Sequence, residues 1–489
     1  MNKINSKVGI IGAGIAGIAV AIRLANKGYQ VEVFESNPYP GGKLSEIRSD
    51  GFRFDAGPSL FTMPELVDEL FELAGENPRE RFNYLRLPVT CEYFYEDGTR
   101  ISAYSEPDKF IEELYQKTGE PKENTSKALS NSETLFQYLA PLFMERSLHK
   151  ISTFTNRDAI RAYKNLFKLD FFRSMHQANR SFFKDQRVVQ LFNRYATYNG
   201  SNPYKTPATM NIIPHLEFGK GAFFPRNGMY DITRSLFELA QRLGVHFHFN
   251  AKVESIITAG GKAIGVQVDS KVIPFDRIVC NMDVVSAYRR LLPHEKQPEK
   301  LLKQPKSSSA LIFYWGIKKE YKRLGLHNIF FSRSYEQEFD HIFQRKEISD
   351  DPTVYLNITS KYKKDDAPPG NENWFTMINV PHDSGQDWDA LIAEARINIQ
   401  LKLSRILQDD ISKQIVTESI LDPRLIESKT FSAQGALYGN SSNNKYAAFL
   451  RHPNYSGRIR DLFFCGGSVH PGGGIPLSLL SAKITAGMM

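Results

Sequence analysis

The chain is poor in cysteine and has no long hydrophobic run. Three cysteines are spread over 489 residues with no C-x-x-C pair, so we predict neither a disulfide framework nor a cysteine zinc site, and a reducing, cytoplasmic setting is expected. No stretch reaches about 18 apolar residues, which argues against an integral membrane protein. The uncharged run of 15 residues at 8–22 follows two lysines, as in a secretory signal, but its regularly spaced glycines serve no purpose in an export segment.

The motifs of several enzyme classes are also missing. The sequence contains no H-E-x-x-H, no G-x-S-x-G and no cluster of cysteine and histidine residues, so hydrolases and metalloenzymes are disfavoured and no metal site is predicted. The net charge is only +8, from 62 basic and 54 acidic residues. A nucleic-acid-binding protein usually concentrates a larger excess on one element, so no nucleic-acid partner is predicted.

A glycine motif near the start of the chain predicts a dinucleotide-binding loop. Residues 8–11 are apolar and typical of a buried strand, and G-x-G-x-x-G follows at 12–17, leading into a helical segment that ends near 26–28. One glycine permits the tight turn, one allows close approach of a pyrophosphate, and one lets the helix pack on the strand. The N–H groups at the helix start then face the phosphates. The residues predicted to bind the diphosphate are Gly12, Gly14, Ala16 and Gly17.

The next strand ends in an acidic residue at the position expected for ribose binding. Glu35 follows the apolar segment 31–34, and a carboxylate there accepts hydrogen bonds from a ribose diol and disfavours the 2′-phosphate of NADP. A glycine turn with a basic residue and a further strand that breaks into a loop come directly afterwards. These segments add Ser36, Gly42, Lys43, Gly57, Pro58 and Ser59 to the predicted cofactor site.

A second glycine-rich turn lies at the other end of the chain. A strand at 461–465 runs into glycines, and H-P-G-G-G-I-P at 470–476 precedes a helical segment. Proline in the first helical turn after glycine predicts a second helix N-terminus aimed at an anionic group. Two such termini suit FAD, with the diphosphate at the first and the electron-rich N1/O2 edge of reduced flavin at the second; two ordinary helix caps are the alternative. The predicted residues here are Gly466, Gly467, Ile475, Pro476 and Leu477.

Taken together, these motifs resemble those of the phytoene-desaturase-type carotenoid desaturases, which belong to the wider FAD family that includes the amine oxidases. The resemblance covers essentially the whole chain, and beyond the glycine loop it rests on segments 41–43, 54–59, 224–229, 279–283 and 470–476. It implies an α/β fold in which a Rossmann-like FAD-binding domain is interleaved with an α+β substrate-binding domain. It also implies that the backbone at Val253 reaches the adenine.

The same resemblance implies a discontinuous domain organisation. Length alone suggests about three domains of ~150 residues. The family pattern instead assigns residues 1–79, 222–290 and 441–489 to the FAD-binding domain, and residues 80–221 and 291–440 to the substrate-binding domain. A helical part at about 130–205 is expected to face a membrane.

Within that part, one segment is both basic and rich in phenylalanine. Residues 161–200 contain eight basic residues against two acidic ones, together with six phenylalanines. Such a mixture on helices suits a surface that lies on anionic lipid, and the implied substrate must be drawn out of a bilayer. Helices that bury their phenylalanines are the alternative, and RNA binding is a weaker one. The residues concerned are Arg161, Lys164, Lys168, Arg173, Arg180, Lys184, Arg187 and Arg194, with Phe167, Phe171, Phe172, Phe182, Phe183 and Phe192.

The resemblance implies an FAD-dependent desaturase located in the cytoplasm and peripherally associated with the membrane. Its reaction removes a hydride and a proton from neighbouring carbons beside a polyene, with flavin as hydride acceptor and oxygen or a membrane quinone as final electron acceptor. L-S-L-L at 477–480 and G-P-S-L-F-T-M-P at 57–64 are more similar to the 3,4-desaturases of hydroxylated or monocyclic carotenoids than to enzymes acting on phytoene. The alternatives are a phytoene desaturase, a polyene isomerase, an amine oxidase, and a prenyl-binding protein without flavin like the Rab escort and dissociation-inhibitor proteins.

Few residues qualify for an acid or base role. Arg157 and Asp158 match a family segment in which an acidic residue is placed near the substrate, and we predict that they take part in catalysis together with His382. The alternatives are an exposed ion pair at a helix start for Asp158 and a hydrogen-bonding structural role for His382. His470 is a further histidine that we expect near the flavin.

Overall fold

A computed structural model describes residues 6–165, 169–443 and 451–489 of the chain. Within these residues the strands are β1 Lys7–Ile11, β2 Gln30–Phe34, β3 Glu46–Ser49, β4 Phe52–Asp55, β5 Tyr84–Arg86, β6 Val89–Phe94, β7 Arg100–Tyr104, β8 Phe223–Pro225, β9 His246–His248, β10 Val253–Ala259, β11 Lys262–Val268, β12 Lys271–Pro274, β13 Arg277–Cys280, β14 Ser309–Ile317, β15 His327–Phe330, β16 Val354–Asn357, β17 Glu372–Val380, β18 Ile415–Leu421 and β19 Leu462–Phe464. The α-helices are α1 Ile15–Asn26, α2 Glu65–Leu73, α3 Pro78–Arg81, α4 Pro107–Thr118, α5 Lys122–Phe143, α6 Arg157–Lys164, α7 Met175–Phe182, α8 Gln186–Asn193, α9 Ile213–Phe218, α10 Tyr230–Arg242, α11 Val284–Ser286, α12 Glu299–Leu302, α13 Tyr335–Asp340, α14 Trp388–Leu407, α15 Pro423–Thr430 and α16 Ile475–Ala486.

The first glycine loop follows strand β1 of a parallel sheet. Its strand order is β19-β13-β1-β2-β9, so it combines strands from the beginning, the middle and the end of the chain. β1 is paired in parallel with β13 on one side and β2 on the other, and its apolar residues are buried, as in a central strand covered on both faces. The predicted α/β fold with a Rossmann-like part is confirmed.

Helix α1 is buried on almost every side, which explains its uniformly apolar sequence. It packs against α16 and α10, and Ile18, Val20, Ile22 and Leu24 are fully buried. A helix that is apolar all round belongs inside a protein. Because α1 and α16 lie side by side, the two glycine turns that precede them belong to the same part of the fold.

The second large sheet is mostly antiparallel and has the order β18-β14-β17-β16-β15-β6-β7. Strand β14 is buried at every position because it is covered on both faces. Alternate residues, including Phe313 and Trp315, belong to the core formed with α14, while Ile312 and Tyr314 pack against Phe52 of the β3–β4 hairpin. This two-residue period is that of an extended strand.

The basic, phenylalanine-rich segment is divided between core and surface. Phe183 and Phe192 are buried in a core cluster, which agrees with the alternative of helices that bury their phenylalanines, whereas Phe172 is 87% exposed. Phe167 and Lys168 lie outside the described residues. Among the described residues, none of the helices combines the length and the apolar character that a membrane span requires.

The predicted division into two interleaved domains stays a prediction.

Candidate functional site

A large cavity is lined by residues from both main sheets. Its volume of about 1300 Å³ exceeds the ~300–1,000 Å³ of ordinary small-molecule pockets, so it has room for more than one ligand. Every residue of the predicted cofactor site except Gly17 lines it. These are Gly12, Gly14, Ala16, Glu35, Ser36, Gly42, Lys43, Gly57, Pro58, Ser59, Val253, Gly466, Gly467, Ile475, Pro476 and Leu477.

The glycines of the first loop are required by close backbone contacts. Gly12 has a φ of +94°, which favours glycine, and a Cβ on Gly17 would lie 2.1 Å from the Gly12 carbonyl oxygen. Gly17 therefore lies behind the loop and supports its shape without lining the cavity. Gly14 is the N-cap of α1, so the free N–H groups of the first helical turn lie at the cavity wall.

Glu35 is fixed by hydrogen bonds at the end of β2. One carboxylate oxygen accepts the Ala13 N–H at 2.8 Å, and the other accepts the backbone and side-chain N–H groups of Asn37 at 2.9 and 2.8 Å. The side chain is buried but lines the cavity. Oε1 also accepts the Ser36 hydroxyl at 3.3 Å. Oε2 accepts only the Ala13 N–H among the described residues, so one of its two lone pairs remains for a ribose hydroxyl. The sequence did not lead us to predict a role for Asn37. Its position two residues after Glu35 is the one local feature that could have indicated this contact.

Lys43 places a partly buried cation beside the cavity. Its Nζ donates to the Leu437 carbonyl oxygen at 2.8 Å, and burial lowers the pKa of Lys43 to about 8 although the nearby Asp283 carboxylate opposes this shift. A Cβ on Gly57 would lie 1.8 Å from the Lys43 carbonyl oxygen. The two predicted segments therefore touch backbone to backbone, and only glycine fits at the contact.

The lowered pKa of Lys43 predicts a pH-dependent stability. Between pH 8 and 10.5 the unfolded chain binds this proton and the folded, flavin-depleted protein does not, so folding becomes more favourable as the pH rises, by up to about 3 kcal/mol. We expect the melting temperature of the wild type, relative to that of Lys43→Met, to increase across this range. Both proteins contain the same tyrosines, which cancel in the comparison; a difference that stays constant with pH contradicts the prediction.

The second glycine turn also leads into a helix, but here the glycine at the helix start is favoured by its backbone conformation. Gly474, with a φ of +99°, precedes α16, and a Cβ added there meets no atom within 4 Å. The turn is fixed from behind by Arg451, whose Nη1 donates to the carbonyl oxygens of Tyr438 at 2.6 Å and Gly467 at 3.3 Å. Burial lowers the pKa of Arg451 to about 10. Arg451 and Tyr438 were not predicted, because neither lies in a glycine motif.

Asn281 connects the two turns. A Cβ on Gly14 would lie 2.8 Å from one end of its side-chain amide, and a Cβ on Gly466 would lie 2.7 Å from the other end. The amide oxygen, oriented toward the first loop, accepts the N–H groups of Gly14 and Gly17 at 3.3 Å. Two residues further on, Asp283 caps α11 by accepting the Val285 N–H at 3.0 Å, and burial raises its pKa. Segment 279–283 contributed to the resemblance, yet the sequence offered no role for these side chains.

The donors and spaces around the two turns fit FAD. A glycine cradle and a helix N-terminus suit a diphosphate, the Glu35 carboxylate suits a ribose, and α16 presents a second N-terminus to an electron-rich edge of the flavin. Apart from the predicted cofactor residues, the cavity lining includes many apolar side chains, which suit a long hydrocarbon. This part of the lining is called the apolar wall. Its residues include Leu139, Phe143, Met144, Leu148, Ile212, Ile213, Leu216, Ile312, Ile329, Phe375 and Met377.

One charged pair interrupts this apolar wall. Arg194 Nη2 lies 3.5 Å from a carboxylate oxygen of Glu217, and both side chains are almost completely buried. Arg194 also donates to the hydroxyl oxygens of Tyr93 at 2.6 Å and Tyr198 at 2.9 Å. Glu217 accepts from Tyr195 at 2.7 Å and from Tyr198. Arg194 had been assigned to the basic surface, but packing in a tyrosine shell removes it from solvent.

The predicted acid and base residues lie elsewhere. Arg157 and Asp158 open helix α6 outside the cavity lining, and Asp158 forms a part-exposed ion pair with Arg146 at 2.8 Å, as in the alternative interpretation. His382 is also absent from the lining, and burial lowers its pKa to about 4. The catalytic roles of these three residues therefore have no geometric support. His470 does line the cavity, where its Nε2 hydrogen-bonds to the Arg146 carbonyl oxygen at 2.7 Å.

Comparisons with known proteins agree with this geometry. The family model described as flavin containing amine oxidoreductase matches residues 15–489. The chain is 50% identical to a 1-hydroxycarotenoid 3,4-desaturase of Flavobacterium sp. (strain P99-3), covering 98% of each chain. It is 32% identical to a 4,4′-diapolycopene oxygenase of a Methylomonas species, covering 98% of this chain and 97% of that one. Among solved structures, a putrescine oxidase variant has a TM-score of 0.66 at 13% identity over 99% of both chains, a likeness of fold alone.

Proposed function

The chain belongs to the family of flavin-containing amine oxidoreductases, and from this premise we propose that it is an FAD-dependent carotenoid desaturase. The resemblance predicted from the sequence is confirmed by the relatives. The proposed reaction introduces a double bond at the 3,4 position of a hydroxylated or monocyclic carotenoid. The observation that best supports this function is a single cavity that joins the glycine cradle to an apolar wall.

The chain's own residues contribute binding, orientation and exclusion of water. When bound, FAD supplies a two-electron acceptor, which is the hydride-accepting chemistry that the protein lacks. The glycine turns and Glu35 would hold the cofactor, while the apolar wall would hold the polyene in an extended position and keep water away. Loss of hydride beside a polyene would leave a delocalised cation, and loss of a proton from the neighbouring carbon to a basic group or to solvent would then form the double bond, so the protein needs no strong nucleophile. Of the acidic residues that line the cavity, Glu217 is already paired with Arg194.

Pigment analysis in cells tests the substrate class. The gene is expressed in cells that accumulate either a 1-hydroxycarotenoid, a monocyclic carotenoid such as γ-carotene, or phytoene. We expect a red-shifted product from the first two and none from phytoene, because each new double bond extends the chromophore. Conversion of colourless phytoene alone contradicts the proposed substrate class.

Electron transfer to oxygen and to a quinone is separated by repeating the purified reaction anaerobically with a quinone added.

We further propose that the protein lies on a membrane surface beside the cavity. Several apolar side chains between α5 and α7 are exposed, and they are called the apolar patch here. Leu148, which lines the cavity, comes three positions before Ile151, which is 83% exposed. Arg157, Arg161 and Lys164 follow on α6. Basic and exposed apolar residues together favour an anionic lipid surface. The patch consists of Ile151, Phe154, Ile160, Tyr163 and Phe172.

A charge placed in this patch is expected to release the protein from membranes. The double variant Ile151→Asp and Phe172→Asp should bind vesicles with anionic lipid at least about tenfold more weakly, since each buried apolar side chain contributes roughly 1.5–3 kcal/mol. Val272→Asp is the matched control, because Val272 is an exposed apolar residue on β12. Vesicle sedimentation checks this. Equal binding by wild type and double variant, or equal loss in the control, refutes the proposed surface.

A further inference from the structure

We propose that His327 determines specificity for a hydroxylated carotenoid by donating a hydrogen bond from its Nε2–H to the substrate hydroxyl oxygen. The inference rests on the proposed function and goes beyond it by assigning a residue to recognition of the oxygen. It concerns a group that takes no part in cofactor binding.

His327 is buried in the cavity wall and has an unpartnered nitrogen. It is the first residue of β15, it is 4% exposed, and it lines the cavity. Within the described residues, its Nε2 has no hydrogen-bond partner. A purely hydrocarbon ligand needs no such group, and a buried polar atom without a partner is rare enough to require an explanation.

The neighbours of His327 determine its tautomer. Asn357 lies directly opposite on β16, and its side-chain nitrogen donates to the Leu326 carbonyl oxygen at 3.1 Å and to His327 Nδ1 at 3.1 Å. The bond to Leu326 fixes the orientation of the amide, so Nδ1 is an acceptor without a proton. Burial, assisted by the positive charge of Arg194, lowers the pKa of His327 to about 3. A neutral ring with an unprotonated Nδ1 has its proton on Nε2.

The other ring nitrogen of His327, Nδ1, is two hydrogen bonds away from the predicted flavin site. The hydroxyl oxygen of Tyr355 lies 2.8 Å from His327 Nδ1 and 2.6 Å from Ser59 Oγ, and Ser59 belongs to the glycine-proline-serine turn predicted to contact the cofactor. In a 1-hydroxycarotenoid, only one carbon separates the hydroxyl-bearing carbon from the 3,4 bond. The group that binds the hydroxyl must therefore lie close to the flavin, and the hydrogen bonds from His327 through Tyr355 to Ser59 agree with this requirement.

An unhydroxylated substrate leaves this donor unpaired. Arg194 Nε, on the same wall, is a second buried donor without a partner among the described residues. Discrimination against a ligand that leaves a buried donor unsatisfied amounts to about tenfold to a hundredfold in kcat/KM. Two carotenoids with the same polyene, one bearing the hydroxyl and one lacking it, therefore measure the contribution of the hydrogen bond.

The test compares the ratio of kcat/KM for these two substrates in FAD-loaded wild type, His327→Leu and His327→Gln. We expect a wild-type ratio of at least ten. His327→Leu removes the donor and should bring the ratio close to one. His327→Gln places an amide N–H near the former Nε2 and should restore a large part of the ratio. Bound FAD and melting temperature, measured for each variant, report whether the fold is intact.

Each outcome separates the inference from the proposed function. A wild-type ratio near one means that a water molecule satisfies Nε2, which overturns the inference while desaturation itself stands. A wild-type ratio that His327→Leu leaves unchanged overturns it as well. Conversion of neither substrate by the wild type contradicts the proposed function instead. If His327→Leu fails to fold, the wild-type ratio and the ratio for His327→Gln still decide the question.

Discussion

Replacing Gly17 with alanine is expected to abolish FAD binding, so that the variant is purified without flavin colour and has at least about a hundredfold lower activity. The new Cβ would lie 2.1 Å from the Gly12 carbonyl oxygen, which is backbone and has no rotamer to change. The loop must therefore move away from α1, and its N–H groups lose their alignment toward the diphosphate. Overpacking of this kind typically costs about 1–3 kcal/mol in stability, and the positional error affects binding more strongly.

Flavin content and thermal unfolding distinguish this local effect from general damage. Gly457→Ala is the matched control, because a Cβ there meets no atom within 4 Å. The control should retain wild-type flavin content and activity, and Gly17→Ala should still unfold cooperatively. A Gly17→Ala protein that keeps stoichiometric FAD would show that the first glycine loop does not hold the diphosphate.

Arg194→Met is expected to destabilise the protein by about 3 kcal/mol or more. Glu217 would then lie buried without its cation, since both side chains are shielded from water, and a buried charge without its partner is strongly unfavourable. Tyr195 and Tyr198 would still donate to Glu217, which limits the loss. Thermal unfolding of the FAD-loaded protein should show a melting temperature lower by several degrees.

The double variant Arg194→Met and Glu217→Met provides the control for this effect. Removing both charges leaves no unpaired ion, and buried pairs replaced by apolar groups of similar volume are often neutral in stability. We therefore expect the double variant to be more stable than Arg194→Met alone. If the two losses simply add, the two side chains do not interact energetically, which contradicts the prediction.

The cofactor side of the site was predictable from the sequence because its signals are local. Each glycine turn lies between a strand and a helix along a short stretch of chain, and the required geometry limits the residue types. Glu35 follows its strand directly, so its position at the sheet edge could be inferred. The family resemblance then joined the two ends of the chain, and the parallel sheet of β19, β13, β1, β2 and β9 brings them together.

The substrate side was not predictable in the same way, because its contacts join distant residues. Ser59 and Tyr355 are 296 positions apart, and Tyr93 and Arg194 are 101 positions apart. No local pattern indicates that an arginine in a basic segment will be buried against tyrosines. Arg157 and Asp158, in contrast, were selected by similarity to a family segment, and the structure places them outside the cavity lining.

The most direct test of the proposed function is the mass and absorption spectrum of the product formed by the purified, FAD-loaded protein. With a 1-hydroxycarotenoid whose 3,4 bond is saturated, we predict a product that has lost two hydrogen atoms, kept its hydroxyl group and shifted its absorption to longer wavelength. The relative from Methylomonas is named an oxygenase, so a product that has gained oxygen is the informative contrary result. Such a product, or no product from this substrate alongside conversion of phytoene, would contradict 3,4-desaturation.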